Sequence, residues 1–380
     1  MKIVIAPDSF KESASAEEIA AAMQRGVLAA CPQAETVLLP MSDGGEGFSA
    51  SIMAAIGGQS RRVRVCGPLG ERVEAEYALL GDARTAVIDM AACAGMTLVP
   101  PEKRNPLHTT TYGVGEMLLD ALEAGAREII VGLGGSATID GACGMAQALG
   151  AVFFNDNGKI AAPIYGGILA GLQHIDANKI DKRLSGVTIR CACDVTNPLL
   201  GPLGAARIYG PQKGADAEAV SLLETGLARL AALLPHTPAD FPGAGAAGGM
   251  GFGLAAFMGV SIERGAELLM DVCALDEKLA GADLLLTGEG RLDGQTMHGK
   301  TCHALAERAR AAGVPTLALV GSMGPGAESL GDLFAAVFSI CDGSVSLAEA
   351  MRRVLELVER QARNAMACYL TGKISGGRTG

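Results

Sequence analysis

Apolar and polar positions follow two rhythms along this chain, and the switches between them mark its organisation. Lys2 to Ala6 is a short, nearly continuous apolar run, the pattern of a strand buried on both faces. Ser15 and Glu18 make a capping-box pair; Ile19, Met23, Val27 and Ala30 follow at helical spacing until Pro32 stops the helix. Thr36 to Leu39 predicts a second strand. Phe48, Ile52, Ala55 and Ile56 predict a second helix, ended by Gly57-Gly58. Past residue 60 the rhythm changes to partial period-two alternation (Val63, Val65; Val73, Ala75, Tyr77, Leu79; Val87), with turns at Gly67–Gly70 and Gly81-Asp82. This predicts an antiparallel meander.

The middle of the chain predicts a helix over Val114–Glu123, a strand over Glu128–Gly132, a glycine-rich turn and a helix over Gly141–Leu149. A strand over Val187–Cys193 and a helix over Ala217–Leu234 come next. From residue 281 buried strands return at Asp283–Thr287, Thr316–Val320 and Ala336–Ile340, with helices at Thr301–Ala312 and Ser346–Ala367. Five buried strands drawn from both chain ends predict an α/β fold with a flavodoxin-like, doubly wound parallel sheet. Residues 1–60 and 281–372 would form that discontinuous domain, 61–280 an inserted mixed α/β domain, and 373–380 a tail. The cleft between the two domains is the expected site.

Composition narrows the function. The net charge of −10 gives no basic face for nucleic acid, and 4% aromatics with no Trp argue against base-stacking platforms. No apolar run is long enough to span a membrane, and the N-terminal run is too short for a signal peptide. Ten scattered Cys, none in C-x-x-C and none at zinc spacing, fit a reduced cytoplasmic protein. Gly is the outlier, with 52 residues. Such a share calls for tight turns and close backbone approaches.

Three glycine patterns carry candidate chemistry. Gly294 to Thr301 matches G-x-x-x-x-G-K-[ST], but the predicted strand ends at Thr287, six residues short of Gly294, so a genuine P-loop is not expected. Gly243 to Gly248 matches G-x-G-x-x-G without a preceding buried strand, which favours a tight loop over a dinucleotide site. Gly132 to Gly141 does follow a strand and precede a helix; Gly134, Gly135, Ser136 and Thr138 could receive an anion there, with Asp140 as a cap. Polar loops also gather at the ends of the outer strands. They carry Ser9 and Lys11, then Asp43, then Glu289, Arg291 and Asp293, with Lys300 and His298 beyond. Asp43, Glu289 and Asp293 beside Lys11, Arg291 and Lys300 suit a charged ligand and a metal. Asp194 follows a strand of the inserted domain, with Lys213 as a plausible partner.

The segments APDSFKES, DGGEG, GPLGERV, MAACAGMTLVPPEKRNPLHTTTYGVGE, GLGGSATIDGACGM, CDVTNPLLGPLGAARIYGPQKGA, PGAGAAGGMG and TGEGRLDGQTMHGK occur in this order. Together they resemble the bacterial glycerate kinase family, of the glycerate 2-kinase type, over about residues 1 to 370. The resemblance implies a two-domain enzyme, flavodoxin-like plus insert, that phosphorylates glycerate with ATP and Mg²⁺. It also implies that the Walker pattern is incidental. On that reading the amides of Gly134, Gly135 and Ser136 cradle phosphate, with Thr138, Ser9, Lys213 and His298 in the same binding role. Lys11, Arg291 and Lys300 neutralise phosphate or the glycerate carboxylate. Asp43, Asp194, Glu289 and Asp293 share the tasks of Mg²⁺ ligand and general base, Asp194 being the expected base and Glu289 and Asp293 the expected ligands. Glycerate and a nucleotide are then the partners, with neither nucleic acid nor membrane, and a homo-oligomer is compatible. Two other readings stay open on the residues alone: a nicotinamide-dependent hydroxy-acid dehydrogenase, and a non-catalytic binder of small carboxylates.

Overall fold

The computed structural model describes all residues except 42–46, 82–83, 294–300, 327–331, 342, 344 and 377–380; the side chains of 373–376 are likewise not described. The chain forms two compact units. One comprises Met1–Asp43, Ala50–Ile56 and Ala266–Gly380; the other comprises Gly44–Ser49 and Gly57–Gly265. In chain order the strands are β1 (Lys2–Pro7), β2 (Glu35–Leu38), β3 (Gly58–Cys66), β4 (Arg72–Leu80), β5 (Thr85–Asp89), β6 (Glu128–Gly132), β7 (Val152–Asn155), β8 (Gly158–Lys159), β9 (His174–Asp176), β10 (Thr188–Ala192), β11 (Ile262–Glu263), β12 (Leu284–Leu292), β13 (Thr316–Met323) and β14 (Ala336–Ser339).

The first unit is a five-stranded sheet in the order β14-β13-β12-β1-β2, parallel throughout. Counted along the chain within this sheet the order is 2-1-3-4-5, the flavodoxin-like arrangement that the alternation of buried strands and helices predicts. Ile3 and Ile5 of β1, Leu284 and Leu286 of β12 and Leu317 and Leu319 of β13 point to one face. Helix Ala16–Ala30 and the C-terminal helix Val354–Gly376 cover that face, with Ile19, Met23, Leu357 and Val358 fully buried. The capping box is present: Ser15 accepts the Glu18 amide, and Glu18 accepts the Ser15 amide. Helix Thr301–Ala311 lies on the opposite face, where Leu292, Cys302, Ala306, Ala318 and Val320 form a smaller cluster.

The second unit holds a six-stranded sheet, β11-β10-β6-β5-β4-β3. The expected meander is its β3-β4-β5 part, antiparallel, while β5, β6, β10 and β11 pair in parallel. A small sheet, β8-β7-β9, lies in the stretch between residues 150 and 187, where the sequence pattern gave no element. These strands are only two to four residues long, too short to show a periodicity.

Two boundaries differ from the sequence expectation. Strand β12 does not end at Thr287; its ladder with β13 continues through Glu289↔Val320 and Arg291↔Ser322 to Leu292↔Met323. Its glycines read as turn residues, but Gly288 is there for close approach: a Cβ on it would lie 2.2 Å from the Leu319 carbonyl oxygen. The strand therefore reaches within one residue of Gly294, which removes the spacing argument against the Walker pattern; residues 294–300 themselves lie outside the described residues. The final helix is two, Leu347–Arg352 and Val354–Gly376, and the second continues through 373–376, inside the segment expected to be tail.

Helices Ala16–Ala30 and Val354–Gly376 cross at Gly26. A Cβ there would sit 2.2 Å from the Glu359 carbonyl oxygen and 2.7 Å from the Ala362 Cβ. Gly26→Ala should lose stability, by about 1–3 kcal/mol, although alanine is the better helix former by ~1 kcal/mol. Thermal unfolding followed by circular dichroism should show Tm falling by several degrees; an unchanged or higher Tm would mean that the helices separate freely.

Candidate functional site

Strands β5, β6 and β10 of the second unit end level with one another, Asp89 pairing with Gly132 and Gly132 with Ala192. The loops that follow carry Asp89, Gly134 to Ser136, and Asp194. In the middle loop Gly135 turns the backbone at φ 72. The loop is stitched to residues 94–96: Met96 N–H donates to the Gly135 carbonyl (2.9 Å) and Ala137 N–H to the Ala94 carbonyl (2.8 Å). The amides of Gly134, Gly135 and Ser136 have no protein acceptor among the described residues. Gly135 is exposed and Gly134 half-buried, so this turn offers consecutive N–H groups to an anion.

Behind the turn stands a buried wall. Lys213 ends the turn Pro211–Lys213 and is 3% exposed. Its Nζ donates to Ser136 Oγ and to the Thr138 carbonyl, each at 2.8 Å. The sequence paired Lys213 with the Asp194 loop; the structure directs its ammonium to the glycine-rich turn instead. Asp140 is fully buried and collects donors: the Thr111 amide (2.8 Å) and hydroxyl (2.9 Å), the Gly144 amide (3.2 Å) and the Ala142 amide (3.3 Å). Thr109 Oγ1 donates to the Ala137 carbonyl (2.9 Å), so the threonine run of residues 109–111 clasps the loop at both ends. Burial pushes the Asp140 carboxyl up to about 6 against those donors, which favour its charge. Burial pulls the Lys213 ammonium down to about 7, opposed by the Asp140 charge. Thr138 is fully buried, and its Oγ1 has no protein partner among the described residues. The G-x-G-x-x-G run is a buttress. Residues 247–249 leave helical geometry, and a Cβ on Gly248 would lie 2.0 Å from the Thr138 carbonyl oxygen.

Asp194 is exposed, and its Oδ1 accepts the Gly265 amide at 3.0 Å. Asp89 accepts the Ser49 hydroxyl at 2.8 Å and the Ser49 amide at 3.2 Å. Sequence reasoning did not single out Asp89; its one signal was an acid closing a buried strand.

In the first unit, Asp8 follows β1 and organises the strand ends. Its Oδ1 accepts the Ser9 amide at 2.6 Å, and its Oδ2 accepts the buried Thr301 hydroxyl at 2.8 Å. Neither Asp8 nor Thr301 was selected from sequence as a site residue. Arg291 is exposed and pairs with Asp293 at 3.3 Å, while Glu289 is buried on the same strand. Lys11 is exposed in the loop after β1. Asp43, His298 and Lys300 lie outside the described residues.

Among the described residues no cluster of three or more His, Cys, Asp or Glu is placed to hold an ion. Glu289 lies on β12 and Asp293 one residue past its end. Mg²⁺ commonly takes one or two carboxylates and completes its shell with water and substrate phosphates, so one carboxylate suffices for an ion that arrives with a nucleotide.

The fold and these loops are those of a two-unit α/β protein with anion-directed donors at its strand ends. A family model described as the glycerate kinase family matches residues 3–370. A glycerate kinase of Halalkalibacterium halodurans is 47% identical over 95% of this chain and 96% of its own length. The glycerate 2-kinase of Escherichia coli K12 is 44% identical over 99% of this chain and 100% of its own. The crystal structure of a Salmonella typhimurium LT2 protein, provisionally named glycerate kinase 2, matches with a TM-score of 0.88 at 46% identity, covering 98% of this chain and 99% of that one. The chain belongs to the glycerate kinase family. Among the described residues no helix is long and apolar enough to cross a membrane.

The buried lysine makes stability depend on pH. Its ammonium titrates near 7 when folded and at an ordinary 10.5 when unfolded, so between those values the unfolded chain holds the extra proton and stability rises with pH. Asp140 acts below that window; its raised carboxyl removes stability as pH climbs from 3.8 to about 6. Lys213→Met should flatten the upper window by up to about 1.4 kcal/mol per pH unit, measured by denaturant unfolding from pH 7 to 10. An unaltered slope would mean that Lys213 keeps its proton in the fold.

Proposed function

We propose that this chain transfers the γ-phosphoryl group of ATP to the 2-hydroxyl of D-glycerate, with Mg²⁺ accompanying the nucleotide. Family membership makes it a phosphotransferase acting on glycerate; regiochemistry, stereochemistry, metal and residue roles are the proposal. The observation that carries the geometric part is the turn Gly134–Ser136, whose amides have no protein acceptor among the described residues and lie at a parallel strand end, backed by a buried ammonium.

Phosphoryl transfer is governed by positioning and charge neutralisation. The amides of Gly134, Gly135 and Ser136 would hold phosphate oxygens, with Thr138 and Lys213 shaping the turn from behind. Arg291, set by Asp293, offers a planar fork suited to the glycerate carboxylate or to phosphate. Lys11 and Lys300 would add positive charge, Ser9 and His298 polar contacts, and Asp43 a further carboxylate. Asp194, its Oδ1 fixed by the Gly265 amide, would take the hydroxyl proton. Mg²⁺, when bound, would neutralise phosphate charge, with Glu289 and Asp293 the carboxylates on this chain that would hold it. All ten cysteines are unpaired thiols, which supports a cytoplasmic location.

The deciding test is ³¹P NMR of protein, D-glycerate, ATP and Mg²⁺. The expected product is the 2-phosphoglycerate phosphomonoester. A 3-phosphoglycerate signal would move the site of transfer, and no phosphomonoester from folded protein would overturn the reading. In initial-rate assays Asp194→Asn should lower kcat by ~10²–10⁴-fold with little change in KM, and a kcat within a few-fold of the parent would remove Asp194 as base.

A further inference from the structure

The wall behind the glycine-rich turn holds two charged groups that anion binding by backbone amides does not itself require. We propose that Lys213 and Asp140 are positioning residues that make the Ser136 hydroxyl an obligatory hydrogen-bond donor to the substrate anion. The inference rests on the reading of the Gly134–Ser136 turn as an anion site and deepens it.

The argument is one of donors and acceptors. An ammonium has three donors and no acceptor. At 2.8 Å from the protonated Lys213 Nζ, Ser136 Oγ therefore accepts, and while the lysine keeps its proton the serine's own hydrogen points elsewhere. No protein group among the described residues accepts that hydrogen. Ser136 is 7% exposed, and its own amide is one of the three that have no protein acceptor among the described residues. The hydroxyl is thus a fourth donor of the same turn, polarised by the cation behind it. Thr138 Oγ1, buried in the same wall and without a protein partner among the described residues, is a second polar group left for a non-protein partner.

Asp140 keeps the arrangement charged and in register. Its carboxylate ties residues 111, 142 and 144 to the end of the loop, and its charge favours the protonated form of Lys213. Among the described residues, the titratable groups that face this pair are Cys143 at Asp140 and Asp140 at Lys213. With Asp140 neutral, the ammonium should be lost at lower pH and the Ser136 hydroxyl released to turn inward.

The test uses the full chain and its kinase reaction, comparing Ser136→Ala, Lys213→Met, their double variant and Asp140→Asn, with ATP and glycerate varied in turn from pH 6 to 9. Ser136→Ala and Lys213→Met should each raise KM for the same substrate by roughly 10-fold or more, the loss of a charge-assisted hydrogen bond. The double variant should be no more than about threefold worse than the poorer single, because both remove one donor. Asp140→Asn should move the alkaline limb of kcat/KM to lower pH by about 1 unit, which a purely structural loss would not do. Multiplicative losses in the double variant, or an unmoved limb in Asp140→Asn, would overturn the proposal. Should Asp140→Asn fail to fold, the double-variant comparison still decides. The failures are separable. Absence of kinase activity in the folded parent would overturn the reading of the site itself; an active kinase indifferent to Ser136→Ala would refute the hydroxyl donor and leave the amides of the turn, whereas sensitivity to Ser136→Ala alone would refute only the relay.

Discussion

A carboxylate sealed from water dictates the local architecture of the inserted unit. Asp140 has no exposed surface, and an unpaired buried charge would cost several kcal/mol. Its donors come from two directions: the threonine run ahead of helix Tyr112–Glu123, and the first turn of helix Cys143–Ala148. The chain from Met90 to Thr111 must therefore wrap the glycine-rich loop, and the stitches at Gly135 and Ala137 follow from that path. The turn that offers its amides outward is rigid because everything behind it is fixed.

Glycine serves the same end by a different means. At Gly144 a Cβ would meet Thr110 Oγ1 at 2.3 Å, and at Gly248 it would meet the Thr138 carbonyl oxygen at 2.0 Å. At both points the glycine backbone lies against its neighbour with no room for a Cβ, so the wall is dense without large side chains. In the other unit the strand-end groups lock by polar contacts, Asp8 with Thr301 and Arg291 with Asp293. Its core is an ordinary apolar layer between sheet and helices.

Much of the fold was legible. The apolar runs of β1 and β6, the capping box at Ser15 and the helix from Ala217 all stand where the periodicity puts them. What escaped has physical causes. The end of β12 was hidden because its glycines and charges mimic a loop, although a neighbouring strand pairs with them. The break at Arg353 follows a helical pattern that simply continues. At the candidate site, residue types at strand ends pointed to the loops described above. Partnerships did not show, since Lys213 and Ser136 are 77 residues apart and their contact is a product of folding. Asp140 read as a local cap, and its link to Thr111 was beyond local inspection.

The depressed proton affinity of Lys213 has a further consequence for chemical reactivity. An amine that sheds its proton near neutrality is a far better nucleophile than an ordinary lysine, yet this one is 3% exposed and out of reach of reagents. Acylation of Lys213 would therefore require the segment around it to open, so that its reactivity would report on local opening rather than on its basicity.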